Sequence, residues 1–133
     1  MRAILCKEYG PAETLVIEDV TSPVVKGHGV KVRVKAAGLN FPDTLIIEGK
    51  YQLKPTMPFS PGGEMSGEVI EVGEKVTRFK PGDRVAGLTG YGAFAEEVVV
   101  PEQNILPIPE SMSDEKAAAF SMVYGSLYYV LKQ

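Results

Sequence analysis

The sequence predicts a mainly β fold with short helices, compatible with a small barrel. Short runs of residues alternate between apolar and polar, fourteen glycines and ten prolines separate them, and only two segments have a helical pattern. At 133 residues the chain can form one domain with its own buried core. We therefore expect about eight short strands and two helices.

The N-terminal third contains three predicted strands. Residues 2–7 and 14–20 alternate and are separated by Tyr9-Gly10-Pro11, which predicts a hairpin-like pair ended by Pro23. The clearest strand covers residues 30–37 and ends at Gly38, with alternate small apolar residues facing inward: Val30, Val32, Val34 and Ala36.

One short helix is predicted over residues 40–49. Asn40 or Phe41 lies at the N-cap, Pro42 lies in the first turn where its missing N–H has no cost, and Gly49 closes the helix. The helix dipole favours Asp43 in this first turn.

Residues 61–85 form the segment with the strongest pattern. A Pro-Gly-Gly turn precedes an alternating strand over residues 68–72, and Gly73 ends that strand. Residues 80–83 read as a tight turn, and Val85 opens the next strand, which runs over residues 84–88. This pattern predicts two strands joined by a loop.

The segment Gly90–Ala95 matches the dinucleotide-binding pattern G-x-G-x-x-A but lacks its context. That pattern must leave a strand and open a helix, whereas residues 96–101 read as a strand ended by proline. We therefore reject the match. After a last extended segment at residues 104–109, a helix begins at Ser113 as N-cap, with acidic residues in its first turn.

Composition excludes several functions. The net charge of −3 argues against a broad nucleic-acid surface, and no apolar run approaches the roughly 20 residues of a membrane span. Charge interrupts the N-terminus too early for a signal peptide, so we expect a cytoplasmic protein. With only Cys6 and His28, a four-cysteine zinc site is impossible and a catalytic zinc site is not expected. We expect Cys6 to be a small buried residue and His28 an exposed turn residue.

The motif Gly-Gly-Glu-x-x-Gly at residues 62–67, followed by Val-Gly-x-x-Val-x-x-Phe-x-x-Gly-Asp-x-Val at residues 72–85, resembles the medium-chain dehydrogenase/reductase superfamily. The zinc-dependent branch carries Gly-His-Glu and a cysteine ligand, where this chain has Gly62-Gly63-Glu64 and Asn40-Phe41. The stretch at residues 40–44 is similar to the Asn-Phe-x-Asp-Thr motif of the zinc-free NADPH:quinone oxidoreductase branch, whose members include the zeta-crystallins.

That resemblance implies a GroES-like, partly open β-barrel over residues 1–112. It further implies that residues 113–133 form a hinge helix toward a dinucleotide-binding (Rossmann) domain absent from this sequence. A member of this branch would bind NADPH, reduce a quinone or enone as a homodimer, and have little activity from this segment alone.

The resemblance also implies site residues. Asn40 would lie at the nicotinamide end of the cofactor cleft, with N-capping alone as the alternative role. Asp43, Leu45 and Tyr51 would line the substrate pocket, and Leu45 replaces a second tyrosine that many relatives carry. Tyr51 could polarise a substrate oxygen or merely pack over the core, and Ser126 could contact the nicotinamide or bond back within its helix.

Two other functions compete with the reduction of quinones or α,β-unsaturated carbonyls. An enoyl-thioester reductase of the same superfamily would use the same layout. An autonomous GroES-like module that binds a protein partner or oligomerises would need a mobile apolar loop. Residues 50–61 are the candidate for such a loop, and Pro55, Pro58 and Pro61 make it rigid.

Overall fold

A computed structural model describes the backbone of residues 1–132 and the side chains of residues 1–122 and of Leu131. Over residues 1–132 the chain forms seven strands and two α-helices, together with short 3-10 turns at Ala12–Thr14 and Glu102–Asn104. The strands are β1 (Arg2–Leu5), β2 (Val16–Asp19), β3 (Gly29–Gly38), β4 (Glu64–Val72), β5 (Arg84–Leu88), β6 (Glu97–Pro101) and β7 (Ile105–Pro107). The helices are α1 (Phe41–Ile47) and α2 (Asp114–Lys132). The predicted mainly β class is confirmed, while the division of the chain at residue 112 stays a prediction.

The strands form two antiparallel sheets that do not close into one barrel. β1 pairs with β2, with Arg2 opposite Asp19, which confirms the predicted hairpin-like pair. The other five strands have the order β6-β3-β4-β5-β7. Isolated bridges at Ala3–Ala95 and Cys6–Phe59 connect the N-terminal segment to later loops. The arrangement is therefore a partly open barrel, as expected.

Two apolar clusters form the core. The larger lies on the five-stranded sheet, where Val30 and Val32 of β3 are fully buried and Val34 packs at the edge. The smaller lies under α1 and contains Cys6, Ile46, Ile47 and Phe59. Cys6 is 1% exposed, which confirms its predicted burial, and that burial raises the pKa of its thiol.

The caps predicted for α1 are confirmed. Asn40 is the N-cap residue, Pro42 lies in the first turn, and Glu48 is the C-cap. Gly49 follows with φ +72°, a conformation that glycine adopts at little cost. These residues place the N-terminus of α1 immediately after β3.

β4 begins at Glu64, four residues before the alternating pattern at residue 68. Its first four residues are all buried, so no alternation between apolar and polar marks this half of the strand. Gly67 is needed here, because a Cβ at this position would lie 2.0 Å from the carbonyl oxygen of Arg33 on β3.

The start of α2 is fixed to the sheet by several contacts. Ser113 Oγ accepts a hydrogen bond from the Lys116 N–H at 3.2 Å, which confirms the predicted N-cap. Ala117 and Ala118 are buried where the helix packs across β3, β4 and β5. Ser66 Oγ of β4 donates to the carbonyl oxygen of Asp114 at 2.5 Å.

The segment Gly90–Ala95 lies in the loop between β5 and β6, without a helix after it. Gly90 and Gly92 have φ values of +77° and +106°, which belong to turns. The rejection of this segment as a dinucleotide-binding motif is confirmed. No helix in the described part of the chain is long and apolar enough to cross a membrane.

Candidate active site

Asn40 has a fixed side-chain orientation at the junction of β3 and α1. Its backbone N–H donates to Asp43 Oδ2 at 2.8 Å, and its Nδ2 donates to Glu64 Oε1 at 2.7 Å. A carboxylate only accepts hydrogen bonds, so the amino group of Asn40 must face Glu64 and its Oδ1 must face away. The amide oxygen lies in the capping box of α1, facing the backbone of the first turn, and its second lone pair leaves capacity for a further donor.

Glu64 joins the two helices through a buried carboxylate. It is 1% exposed, and its second oxygen, Oε2, accepts from the backbone N–H of Met122 in α2 at 2.9 Å. Gly38 lies opposite Glu64 in the β3–β4 register, and a Cβ on Gly38 would lie 2.1 Å from Oε1. Glycine at position 38 therefore provides the space for this carboxylate.

Asp43 is a second buried carboxylate beside Glu64. It is 4% exposed, and loss of solvent raises its pKa above the ordinary value. The negative charge of Glu64 acts in the same direction, whereas the backbone N–H groups of Asn40, Gly63 and Gly62 partly offset the rise. The result is a polar pair of acids within the apolar barrel.

We call Asn40, Asp43, Gly63, Glu64 and Met122 together the Asn40 site. A Cβ on Gly63 would lie 3.2 Å from Met122 Cε and 3.5 Å from Asp43 Oδ1, so these residues are close neighbours. The residues flanking Asn40 are Leu39 and Phe41, which are 75% and 73% exposed. The site therefore has one oriented amide whose two neighbours along the chain expose apolar side chains.

The structure brings together two of the five residues that the sequence suggested for the site. Asn40 and Asp43 lie in the Asn40 site, while Tyr51 packs against the smaller apolar cluster with Leu15 and Met57. Leu45 is half-buried on α1, and its carbonyl oxygen accepts from the Lys50 N–H at 2.9 Å. Ser126 belongs to α2, but its side chain lies outside the described residues.

Sequence reasoning does not assign a role to Glu64, Gly38 or Met122. The sequence places Glu64 only within the glycine-rich signature, although an acidic residue between glycines and the apolar Met65 could have indicated a buried carboxylate. No sequence signal indicates that the Met122 N–H would donate to it, because that contact depends on how α2 packs.

Metal ligands do not converge in the described part of the chain. No three His, Cys, Asp or Glu side chains there could hold a metal ion together. Cys6 lies in the smaller cluster, and His28 is exposed, as predicted, with Nδ1 3.0 Å from Oε2 of the buried Glu102. The cysteine and the histidine, the side-chain types that bind zinc most strongly, thus lie in different parts of the fold and contact different residues.

A separate apolar cavity of about 440 Å³ lies beside β1 and the β5–β6 loop. Its lining includes Leu5, Phe59 and Tyr91, and the last two rings pack edge to face with centroids 6.1 Å apart. None of the residues of the Asn40 site lines this cavity. The cavity is therefore separate from the Asn40 site.

Two unclosed antiparallel sheets, a short helix after β3 and a longer helix across the sheet define a GroES-like domain. The sequence profile of the alcohol dehydrogenase GroES-like domain matches residues 26–110, more than half of the chain. The chain belongs to this family, and the resemblance to quinone oxidoreductases of the medium-chain dehydrogenase/reductase superfamily is confirmed.

Relatives over the whole chain support this assignment. A quinone oxidoreductase-like protein 2 homolog of Nematostella vectensis is 48% identical over 98% of this chain and 36% of its own length. The crystal structure of Escherichia coli quinone oxidoreductase complexed with NADPH is 30% identical, with a TM-score of 0.94 over 100% of this chain and 41% of that chain. A human synaptic vesicle membrane protein VAT-1 homolog-like protein is 37% identical, with a TM-score of 0.94 over 98% of this chain and 42% of that chain. The chain thus spans less than half the length of these relatives.

Proposed function

We propose that this chain forms the catalytic-domain part of an NADPH-dependent oxidoreductase that reduces quinones or α,β-unsaturated carbonyl compounds. The observation that carries the proposal is the oriented Asn40 amide, held by the buried Glu64 and flanked by the exposed apolar residues Leu39 and Phe41. Such a surface can bind a nicotinamide ring and an apolar carbonyl substrate without supplying a nucleophile. The names of the relatives point to the same reaction class.

The residues of the site fit a nicotinamide. Asn40 Oδ1 faces away from Glu64 and can accept a hydrogen bond from a carboxamide N–H, and the exposed apolar side chains of Leu39 and Phe41 would be available to pack on a bound ring. When bound, NADPH would supply the hydride. The chain itself orients the reactants and keeps water out, and we propose that Ser126 adds a hydroxyl on the nicotinamide side.

Tyr51 and Leu45 are proposed to shape the substrate pocket rather than to transfer a proton. Tyr51 packs on the smaller cluster, so its ring has a structural role regardless of the reaction. If its phenol also polarises the substrate oxygen, Tyr51→Phe will keep this packing but lower kcat by about tenfold or more. An unchanged kcat would assign Tyr51 to packing alone.

We further propose that the reaction is independent of zinc, that the protein is a cytoplasmic homodimer and that NADPH is preferred over NADH. The separate positions of Cys6 and His28 support the first point. The other points follow from the resemblance to the quinone oxidoreductase branch.

The experiment is a steady-state assay of NADPH oxidation by the full-length protein, which we propose continues into a dinucleotide-binding domain. The substrate panel is a small quinone, a simple enone and an enoyl thioester, with NADH as the alternative cofactor. Turnover of the quinone or enone supports the proposal. Turnover confined to the enoyl thioester would replace the proposed substrate class, and no turnover of any of the three would refute the oxidoreductase function.

An autonomous partner-binding module is less well supported by the structure. Its expected mobile loop, residues 50–61, contributes Pro55, Phe59 and Pro61 to the buried part of the barrel. Cys6 and Phe59 also exchange backbone hydrogen bonds, at 2.8 and 3.2 Å. These contacts fix the segment at residues 55, 59 and 61, which argues against the mobility that such a module would need. A discrete ring-shaped oligomer in light scattering would nevertheless favour the module.

A further inference from the structure

We propose that Glu64 is a positioning residue whose carboxylate fixes the orientation of the Asn40 amide and makes that orientation depend on the placement of α2. The kinetic part of this inference rests on the proposed function, because only there does Asn40 meet a cofactor or substrate. The structural part, the dependence of the Asn40 amide on Glu64, stands on the contacts alone.

Each oxygen of the Glu64 carboxylate has a donor from a different element. Oε1 accepts from Asn40 Nδ2 at 2.7 Å, and Oε2 accepts from the Met122 N–H at 2.9 Å. The side chain is 1% exposed, so a lost donor could not be replaced by bulk water. Because an unpaired buried carboxylate oxygen is costly, both hydrogen bonds are needed to keep Glu64 in this position.

The donor from α2 is unusual for the interior of a helix. A helical N–H ordinarily donates to the carbonyl oxygen four residues earlier, which for Met122 is that of Ala118. Donation to Glu64 ties this turn of α2 to the first residue of β4. A shift of α2 would therefore withdraw the donor from Oε2 and loosen the carboxylate that holds Asn40.

The orientation of Asn40 decides what the site can bind. With Nδ2 held by Glu64, Oδ1 lies toward the backbone of the first turn of α1, where the capping box is formed, and its second lone pair can accept from a ligand N–H or O–H. If the amide rotated by half a turn, its amino group would take that place and repel the same ligand. By holding the amino group, Glu64 thus favours ligands that donate a hydrogen bond to Asn40 Oδ1 over ligands that would have to accept one there.

An exchange of functional groups between positions 64 and 40 tests this directly in the full-length protein. Glu64→Gln removes one acceptor, so the new amide oxygen can serve Met122 while the new amino group must then face Asn40. Asn40→Asp places a carboxylate against Glu64. The double variant, Glu64→Gln with Asn40→Asp, pairs an amino group with a carboxylate again and presents an acceptor to the ligand as the original residue does.

We expect kcat/KM to fall by about tenfold in Glu64→Gln and by more in Asn40→Asp, since hydrogen bonds to charged groups and correct orientation are lost. The double variant should recover most of that loss. Losses that multiply in the double variant would overturn the proposal. So would wild-type kcat/KM in Glu64→Gln, even if the free energy of unfolding changed, because Glu64 would then be merely structural.

A nuclear magnetic resonance experiment separates this inference from the proposed function. The side-chain amino group of Asn40, assigned by its loss in Asn40→Ala, should give a hydrogen-bonded, slowly exchanging signal in the wild type and lose it in Glu64→Gln. An unchanged signal would overturn the role of Glu64. If the wild-type protein reduces none of the substrates, the proposed function fails while this signal still decides the role of Glu64.

Amide exchange tests the connection to α2. Glu64→Leu keeps a similar size but removes both acceptors, so exchange at the Met122 N–H should accelerate by about tenfold. The control is the Ala117 N–H, which donates to the Ser113 carbonyl oxygen at 3.0 Å and should exchange as in the wild type. Equal exchange at Met122 in both proteins would overturn the dependence on α2. If Glu64→Leu does not fold, the kcat/KM values of Glu64→Gln, Asn40→Asp and their double variant decide the proposal.

Discussion

Two buried carboxylates, Asp43 and Glu64, lie side by side in the barrel and are stabilised in different ways. Glu64 has a donor on each oxygen, one from a side chain and one from a helix backbone. Asp43 accepts from the Asn40 N–H at the N-terminus of α1, where the helix dipole also favours negative charge. Neither acid forms an ion pair with a basic side chain of residues 1–122. Backbone and amide N–H groups therefore supply the stabilisation that these carboxylates receive, and for Asp43 they offset the effect of burial only in part, since its pKa stays raised.

Gly38 is expected to be essential for the position of Glu64. In Gly38→Ala the new Cβ would lie 2.1 Å from Glu64 Oε1, which forces the carboxylate away from Asn40. We expect the free energy of unfolding to fall by about 1–3 kcal/mol, as for other overpacked sites, when measured by urea denaturation.

Gly63→Ala is the matched control for Gly38→Ala. Its new Cβ would lie 3.2 Å from Met122 Cε, the end of a flexible side chain that can move. We expect a loss of less than about 1 kcal/mol. Equal decreases in the free energy of unfolding of the two variants would contradict the claim that position 38 must be glycine to leave room for the Glu64 carboxylate.

Asp43 should give stability a distinct dependence on pH. Its pKa is raised in the folded state by burial. At a pH between the unfolded-state and folded-state pKa values, the folded protein therefore binds a proton that the unfolded chain has released. This residue therefore favours folding fully below its ordinary pKa of 3.8, and the contribution is lost as pH rises through the folded-state pKa. Asp43→Asn does not titrate, yet its amide oxygen can still accept from the Asn40 N–H.

We expect the stability of the wild type relative to Asp43→Asn to decrease as pH rises from about 3.8 toward neutral. Urea denaturation at a series of pH values measures this difference, and Asp19→Asn at an exposed position serves as the control. A difference between wild type and Asp43→Asn that is constant with pH would refute the raised pKa.

Among individual residues, the sequence predicts those that act through local chemistry but misses those that act through distant contacts. Asn40 and Asp43 are predictable because N-caps and first-turn acids have a local signal. Glu64 lies 24 residues from Asn40 and 58 residues from Met122, and no local pattern joins residues so far apart. Tyr51 has both a packing and a functional interpretation, and the structure shows its packing.

Among the elements, α2 is held to the barrel mainly through its first turns. Arg84 on β5 reaches the segment before the helix, donating to the carbonyl oxygens of Pro109 and Met112 at 3.3 and 2.8 Å. It also pairs with Asp114 Oδ1 at 3.3 Å. Met122 on the same helix donates to Glu64, which in turn accepts from Asn40. A change in how α2 is attached is therefore expected to change the position of Glu64 in the Asn40 site.

Arg84→Ala should weaken this attachment. It removes two hydrogen bonds to the segment before α2 and one to Asp114, the first residue of the helix, and we expect the free energy of unfolding to fall by about 1–2 kcal/mol. Amide exchange along α2 should accelerate together with this loss. Arg33→Ala, at an exposed position of β3, is the control and should change stability by less than about 0.5 kcal/mol. Similar effects of both variants would contradict the role of Arg84.

The elements are predictable where the chain alternates or is capped. β3 and α1 follow their sequence signals closely, because one face of β3 is buried and both ends of α1 have cap residues. The start of β4 is not predictable. Its first four residues are all buried, so they show no alternation between apolar and polar side chains that would indicate a strand.

As a whole molecule, the chain presents a GroES-like domain with exposed apolar residues next to the Asn40 site. Leu39 and Phe41 flank Asn40 and are largely exposed, and the relatives are more than twice as long as the match to this chain. Exposed apolar residues around an oriented polar group are typical of a surface that another domain or a ligand covers. The fold class is predictable from the motif, whereas no motif of this sequence specifies a substrate.

The proposed independence of zinc makes a prediction for the whole protein. We expect dialysis of the full-length protein against a strong chelator to leave kcat/KM within about twofold, because Cys6 and His28 lie apart and have other contacts. Metal analysis of the dialysed protein is the control for removal. Activity lost with the metal and restored by zinc would contradict this part of the proposed function.

The oriented Asn40 amide is proposed to serve the reduction itself, and single-turnover kinetics test that role separately from product release. The measurement is the rate of NADPH oxidation by a quinone in the full-length protein, for the wild type, Asn40→Ala and Asn104→Ala. Asn104 is an exposed asparagine outside the Asn40 site, so its variant makes the same chemical change elsewhere. We expect Asn40→Ala to slow the reaction by at least about tenfold and Asn104→Ala to leave it unchanged. Equal rates in all three proteins would contradict the proposed role of Asn40.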